Sequence, residues 1–234
     1  VSLVVITPTR GRPAQFAAMC DAAVGLAGTT VRVVAYVDED DPQLELYRQV
    51  CASRAELLVG RPRQLAPASD YAAAWVLDPA NGEPPVALAS LGDDHFPRTY
   101  GWARSYVDEL ADLGGGIVYG DDLHRGEKLA TQWAMSASIV RELGRMVPAP
   151  VQHLYADTSI MALGAATGCL RYLPGVVVEH AHYAAGKAKV DAVYRAANSP
   201  QRCREDKAAY EQWLADGLAQ DAARVRALRN GGLS

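Results

Sequence analysis

Val86-Ala-Leu-Ala-Ser-Leu91-Gly92-Asp93-Asp94-His95 runs a mostly apolar segment straight into two adjacent carboxylates. A short apolar run of this kind reads as a buried strand. Carboxylates side by side at a strand end repel each other, and a divalent cation relieves the repulsion. Mg²⁺ and Mn²⁺ accept carboxylate oxygens and usually keep waters and substrate phosphates as further ligands. In an open α/β sheet, ligands bind outside the carboxyl ends of the strands. That placement makes Asp93 and Asp94 more specific than an acidic pair in an ordinary loop.

Upstream, short apolar strands alternate with helical patterns. Leu3 to Thr7 reads as a buried strand, Pro13 as a first-turn proline, and an Ala-rich helix follows to about Leu26. Val31 to Val37 is a second strand. Asp41-Pro42 reads as a cap and first-turn proline opening a helix to about Ala52. Glu56 to Val59 is a third strand, and Ser69 is expected to cap a helix to about Leu77. Downstream, Arg98 to Leu113 is helical, Gly114-Gly115-Gly116 breaks the chain, and Ile117 to Tyr119 is a strand. Ser136 is expected to cap a helix to about Met146, ended by Pro148-Ala-Pro150. Tyr155 to Ala165 reads as helix, Val176 to His182 as strand, and 187–197, 203–216 and 219–229 as a helical tail. Alternating strands and helices imply an α/β fold, a mostly parallel central sheet flanked by helices.

Composition bounds the function. The 234 residues are 50% hydrophobic and 21% charged, enough apolar material for a core and too much for wholesale disorder. A net charge of −4 and a pI near 5.7 argue against a protein that lives on the nucleic-acid backbone through a basic surface. No apolar run reaches the length of a membrane span, so no membrane partner is expected. No secretory leader is visible, although a chain that opens on Val1 leaves a trimmed leader open. Cys20, Cys51, Cys169 and Cys203 are scattered without a CxxC pair and read as buried thiols in a reducing cytoplasm.

Candidate site residues follow the strands. Thr7-Pro8-Thr9-Arg10-Gly11-Arg12-Pro13 places two guanidiniums at a helix start, which suits a phosphate; a solvated turn is the plain alternative. Asp38-Glu39-Asp40-Asp41 offers a carboxylate, Asp38 first, to a base or ribose, or else is a solvated loop. In Val176-Val-Val-Glu179-His180-Ala181-His182, period-two spacing puts His180 and His182 on one face. Either imidazole could complete a metal site opened by Asp94; two structural histidines are the alternative. Asp157 is either a helix-start carboxylate or a general base in an acceptor pocket. Asp121 and Asp122 carry the same ambiguity on the acceptor side. Trp75, Trp102, Trp133 and Tyr155 could stack on a sugar or base, with plain core the alternative; only Trp133, in Thr131-Gln132-Trp133, has the polar context of a pocket wall.

Together these pieces resemble a GT-A fold (Rossmann-like) glycosyltransferase of the broad family 2 type. The resemblance rests on VVITPTRGRP, YVDEDDP, ALASLGDDHFP, HLYADTSIM and VVVEHAHY, and covers about residues 1–185. The tail GKAKVDAVYRAAN…REDKAAYEQW looks like that of small glycosyltransferases encoded by bacteriophages of actinobacteria. The resemblance implies one GT-A domain, with a nucleotide-sugar half over about 1–95, an acceptor half over 96–185, and a helical extension over 186–234. Asp94 matches the last acid of the family's DxD motif, which ligates the metal. The first acid falls on Gly92, leaving Asp93 for the ribose or a metal-bound water, or for a DxH arrangement with His95. His180 or His182 matches the late histidine on the metal, and Thr7, Pro8, Arg10 and Asp38 match positions that hold the nucleotide. Asp157 matches the base of inverting members, with Ala156 where a Glu usually precedes it.

The implied activity is metal-dependent transfer, with Mn²⁺ or Mg²⁺, from a nucleotide sugar, a UDP-sugar foremost, to an acceptor hydroxyl in a cytoplasmic compartment. For the acceptor, two classes fit a phage-type enzyme: a 5-hydroxymethylpyrimidine in DNA, or a virion protein. Lys187, Lys189, Arg195, Arg202, Arg204 and Lys207 outnumber Asp191, Glu205 and Asp206, which favours the DNA base; a charged helix surface is the plain alternative. A nucleotidyltransferase is disfavoured because PTRGRP lacks a Gly-rich loop. A non-catalytic nucleotide-sugar-binding module, which the missing first acid would suit, is the remaining alternative.

Overall fold

The computed structural model describes residues 3–181, 195 and 198–231. Its first half alternates strictly: β1 (Leu3–Pro8), α1 (Pro13–Gly25), β2 (Val31–Asp38), α2 (Leu44–Arg54), β3 (Glu56–Gly60), α3 (Leu65–Leu77) and β4 (Ala87–Ser90). The second half adds β5 (His95–Pro97), α4 (Trp102–Asp112), β6 (Ile117–Asp121), β7 (Trp133–Ser136), α5 (Ala137–Leu143), α6 (Ala156–Thr167) and β8 (Leu170–His180). The chain ends on α7 (Pro200–Gln212), a π-helical turn (Trp213–Gly217) and α8 (Leu218–Asn230).

The strands form one eight-stranded sheet in the order β3-β2-β1-β4-β7-β6-β8-β5. The pairings of β1 with β2 and β4, of β2 with β3, and of β6 with β8 are parallel; β7 runs antiparallel to both its neighbours, and β5 antiparallel to β8. Alternating residues of each strand face opposite layers. Val4, Ile6, Val34 and Leu88 pack with α3, α5, α6 and α8, whereas Leu3, Val5, Val33 and Ala89 pack against Phe16, Met19, Tyr47 and Trp102 of α1, α2 and α4. Trp213, Ala222 and Val225 of the C-terminal helices lie in the first of these cores.

Several expectations move. Ser69 does not cap α3; it lies inside it, and its hydroxyl donates to the Leu65 carbonyl (2.8 Å). Pro67 falls in the first turn of α3, where a missing N–H costs nothing. Asp41 does not open α2 directly; its carboxylate instead joins two loops, accepting the Gly11 N–H (2.8 Å) and the Gln43 N–H (2.7 Å), and α2 starts at Leu44. Ser136 precedes α5, but its hydroxyl accepts the Gly116 N–H and caps nothing. The segments expected at 203–216 and 219–229 run together through the π-helical turn. Cys20, Cys51 and Cys169 are buried and free, while Cys203 is free but only partly buried. The expected helix at 187–197 lies outside the described residues except for Arg195.

Candidate functional site

The carboxyl ends of β1, β2 and β4 open into a cleft of about 900 Å³, walled on the far side by residues 152–157. Pro8, Thr9, Arg10, Arg12, Asp38, Asp93, Asp94, Trp133, Asp157 and His180 all line it. Thr7 does not: it is fully buried in β1. Asp121 and Asp122 do not line it either. His182 lies outside the described residues.

On the β1 side, a relay of hydrogen bonds fixes Asp93. The Arg12 N–H donates to the Tyr47 hydroxyl (2.9 Å), Tyr47 to the Thr9 hydroxyl (2.8 Å), and Thr9 to Asp93 Oδ2 (2.6 Å), while Arg12 Nη1 meets Asp93 Oδ1 (3.1 Å). Burial, then the neighbouring Asp94 charge, push the Asp93 carboxyl up to about 6 against the pull of Arg12 and Thr9. Arg10 bridges Asp38 (2.9 Å) and Asp40 (2.5 Å). Both guanidiniums expected on a phosphate thus rest on carboxylates. Asp38 also accepts the Arg63 N–H (3.0 Å), and the Arg63 guanidinium lies 4.8 Å from the Tyr71 ring centre and bonds the Tyr36 hydroxyl (3.0 Å). Sequence reasoning missed Tyr36 and Arg63. Tyr36 is hidden inside the strand pattern, and Arg63 stands among Arg61, Pro62 and Gln64 in the loop after β3, where nothing in the spacing marks it.

On the β4 side, Asp94 lies between two imidazoles. Its Oδ1 is 3.3 Å from His95 Nδ1 and its Oδ2 3.3 Å from His180 Nε2; the two rings stack at 4.1 Å. Backbone register causes this, since His95 of β5 pairs directly with His180 of β8. Ligand atoms of all three residues fall within 4.8 Å of one another. Burial alone would raise the Asp94 carboxyl, but hydrogen bonds and charge from His180 and His95 outweigh it and hold it well below the usual range. Burial and the adjacent His95 lower His180 against the pull of Asp94. The Gly92 N–H donates to His95 Nδ1 (2.9 Å), and His95 Nε2 is buried without a hydrogen-bond partner among the described residues. A carboxylate flanked by two imidazoles, their ligand atoms within 4.8 Å of one another, fits a first-row divalent ion. Asp93 is held by Thr9 and Arg12 on the β1 side of the cleft.

The opposite wall is held from behind. Asp206 of α7 is 1% exposed and accepts the N–H groups of Gln152 (2.8 Å), His153 (3.0 Å) and Leu154 (2.8 Å). Tyr155 follows with φ of 65°, a left-handed conformation that costs a non-glycine residue energy, and its ring stacks on Tyr210 (5.2 Å). Asp157 comes next, in the first turn of α6, its Oδ1 accepting the Thr158 N–H (2.7 Å). Burial raises its pKa, opposed by those local hydrogen bonds. His153, lowered by burial, also faces the cleft and was missed by sequence reasoning because nothing in its spacing marked it. Asp122 serves structure: Oδ1 accepts three successive N–H groups, of His124, Arg125 and Gly126, and Oδ2 the Thr131 hydroxyl (2.8 Å). Asp121 closes a local turn on the Leu123 N–H (2.9 Å). Trp133 is 3% exposed and contributes an edge of the cleft floor.

No family model matches the sequence, and no curated protein matches it. Among solved structures, the chain is similar to S. aureus TarS 1-349, with a TM-score of 0.56 and 9% identity over 76% of this chain and 59% of that one. It is similar to the mannosyltransferase PcManGT from Pyrobaculum calidifontis in complex with GDP-Man and Mn²⁺, with a TM-score of 0.57 and 17% identity over 97% of this chain and 79% of that one. Glucosyl-3-phosphoglycerate synthase from Mycobacterium tuberculosis, in complex with Mn²⁺, UDP and phosphoglyceric acid, gives a TM-score of 0.55 and 13% identity over 76% and 70%. The chain thus spans about three fifths of the length of the TarS fragment. At such identities the likeness speaks for architecture. With its sheet order, its flanking helices and these neighbours, the chain has the GT-A fold.

Proposed function

We propose that this chain is a metal-dependent glycosyltransferase that moves a sugar from a nucleoside diphosphate sugar to an acceptor hydroxyl. The observation that carries this reading is a single cleft holding a carboxylate-imidazole cluster on one wall and the half-buried carboxylate of Asp157 on the other. Asp94 and His180 would hold the ion, with His95 stacked on His180 completing the cluster. Two imidazoles beside one carboxylate favour Mn²⁺ over Mg²⁺, which prefers oxygen ligands. When bound, the ion offsets the negative charge that grows on the departing diphosphate. Arg10 and Arg12 border the same space and would exchange carboxylate contacts for phosphate ones. Asp38, already an acceptor for Arg10 and Arg63, would take hydrogen bonds from the base or ribose of the donor, a UDP-sugar foremost. Asp157, in the first turn of α6 on the wall opposite the cluster, would accept the proton of the attacking hydroxyl. One base facing the leaving group gives inversion at the anomeric carbon.

The acceptor is assigned no further than a hydroxyl. Much of the basic segment that favoured a hydroxymethylpyrimidine in DNA lies outside the described residues, and within α7 Arg202 and Lys207 are paired with Glu205 and Glu211. The test is nucleotide release from UDP-glucose, UDP-GlcNAc and GDP-mannose with Mn²⁺. Asp157→Asn should lower turnover by about 10²–10⁴-fold while leaving the Mn²⁺-dependent thermal shift with UDP in place. Asp94→Ala should abolish that shift. No release from any donor, or release unchanged in both variants, would overturn the assignment.

A further inference from the structure

Among the described residues the C-terminal helices place none in the lining of the cleft, yet one of their carboxylates bonds the back of a wall of it. Asp206 sits in Arg204-Glu205-Asp206-Lys207, a run that reads as solvated helix surface, but it is 1% exposed. Both of its oxygens are spent on three consecutive backbone N–H groups, those of Gln152, His153 and Leu154. Consecutive N–H groups converging on one point form a concavity that takes an anion, and hydrogen bonds to an ionised acceptor are stronger than neutral ones. The same turn is tied on its other face, where the Gln152 carbonyl accepts the Ala66 N–H of α3 (3.0 Å). Immediately beyond it, Tyr155 holds a left-handed backbone that its surroundings must enforce, and the Tyr210 ring stacked on it comes from the helix that carries Asp206.

Resting on the transferase reading above, we infer that Asp206 is a positioning residue: from the C-terminal extension it fixes the 152–155 turn and thereby sets where the Asp157 carboxylate stands in the cleft. The donor side, built by Arg10, Asp38 and Asp94 at the carboxyl ends of β1, β2 and β4, shares no hydrogen bond with Asp206 among the described residues. The two halves of the site are therefore separable by experiment. Loss of the anchor should lower turnover and leave donor binding alone.

The experiment compares the full-length chain with Asp206→Ala and Asp206→Asn. Three quantities are read: hydrogen exchange of residues 152–158, affinity for UDP with Mn²⁺ by calorimetry, and steady-state release of UDP from UDP-glucose. Expected in Asp206→Ala are faster exchange at 152–154, UDP affinity within about threefold of wild type, and a kcat at least tenfold lower at a KM within about threefold. Formate, a carboxylate small enough to fill the vacated space, should restore part of the kcat of Asp206→Ala and none of that of Asp157→Asn. If Asp206→Ala does not fold, Asp206→Asn, which keeps the shape and one acceptor oxygen, is judged by the same criteria. Unchanged exchange at 152–154, or an unchanged kcat, overturns the inference. A wild-type chain that releases no nucleotide from any sugar donor defeats the transferase reading instead, and exchange at 152–154 then decides alone whether Asp206 holds the turn.

Discussion

At the scale of single residues, Gly92 explains the departure from the expected DxD pattern. A Cβ at this position would lie 2.6 Å from Asp94 Oδ1 and 2.8 Å from His95 Nδ1. The loop is wound tightly by the His95 N–H on the Gly92 carbonyl (3.0 Å), and the Gly92 N–H in turn sets the His95 ring. An acid at 92 would therefore displace the Asp94 and His95 side chains from the cluster geometry. Gly92→Ala should weaken Mn²⁺ binding at least tenfold, measured by the loss of the free-ion electron paramagnetic resonance signal on titration. Binding equal to wild type would show that the close approach is not needed. Sequence alone marked Asp94 and a late histidine as candidates, because chemistry-bearing types at strand ends are conspicuous, and the structure places Asp94 and His180 side by side in the cleft. Sequence could not show that position 92 is sterically closed, nor that Asp206 is buried, because an aspartate in a charged helix looks the same whether it meets water or backbone.

At the scale of elements, the strand-helix alternation of the first half was legible because each element there is short, strongly patterned and bounded by Gly, Pro or acids. β7 was not, for it has four residues and no alternation, and it gains its partners only from β4 and β6. β8 was read too short because Pro174 and Gly175 fall inside it, at the irregularity where its pairing with β6 shifts register between Gly120 and Asp121. The loop after β6 depends on Asp122, which is 1% exposed. Burial alone would raise its carboxyl, but three backbone N–H groups and Thr131 outweigh it and lower the pKa. A depressed folded-state pKa contributes stability above the unfolded value, about 3.9 for Asp, and that contribution is lost as the pH falls through the folded value. Asp122→Asn should cost about 2 kcal/mol at neutral pH. The gap from wild type should close as denaturant melts are carried down to the acid side of that window. A gap that stayed constant with pH would mean that the charge of Asp122 contributes nothing.

At the scale of the whole molecule, the C-terminal helices are stitched into the domain that carries the cleft. Trp213 is 4% exposed, and its indole N–H donates to Asp221 Oδ2 (2.8 Å), which also meets Arg145 beyond α5. Arg229 reaches the carbonyls of Thr167 and Leu113, closing the ends of α6 and α4, and Arg226 reaches that of Ala166. Truncating a buried tryptophan costs about 3–5 kcal/mol. Trp213→Ala should accordingly lower the melting temperature by on the order of 10 °C, read by differential scanning calorimetry. A shift within a degree or two would mean that the tail rides on the domain without supporting it. One consequence follows from the pairing of His95 with His180. The two imidazoles come from strands far apart in the sequence, and their cluster with Asp94 exists only where β5 pairs with β8. Manganese added during refolding should leave the rate of collapse untouched and slow only unfolding, acting as a lock thrown after the door has shut.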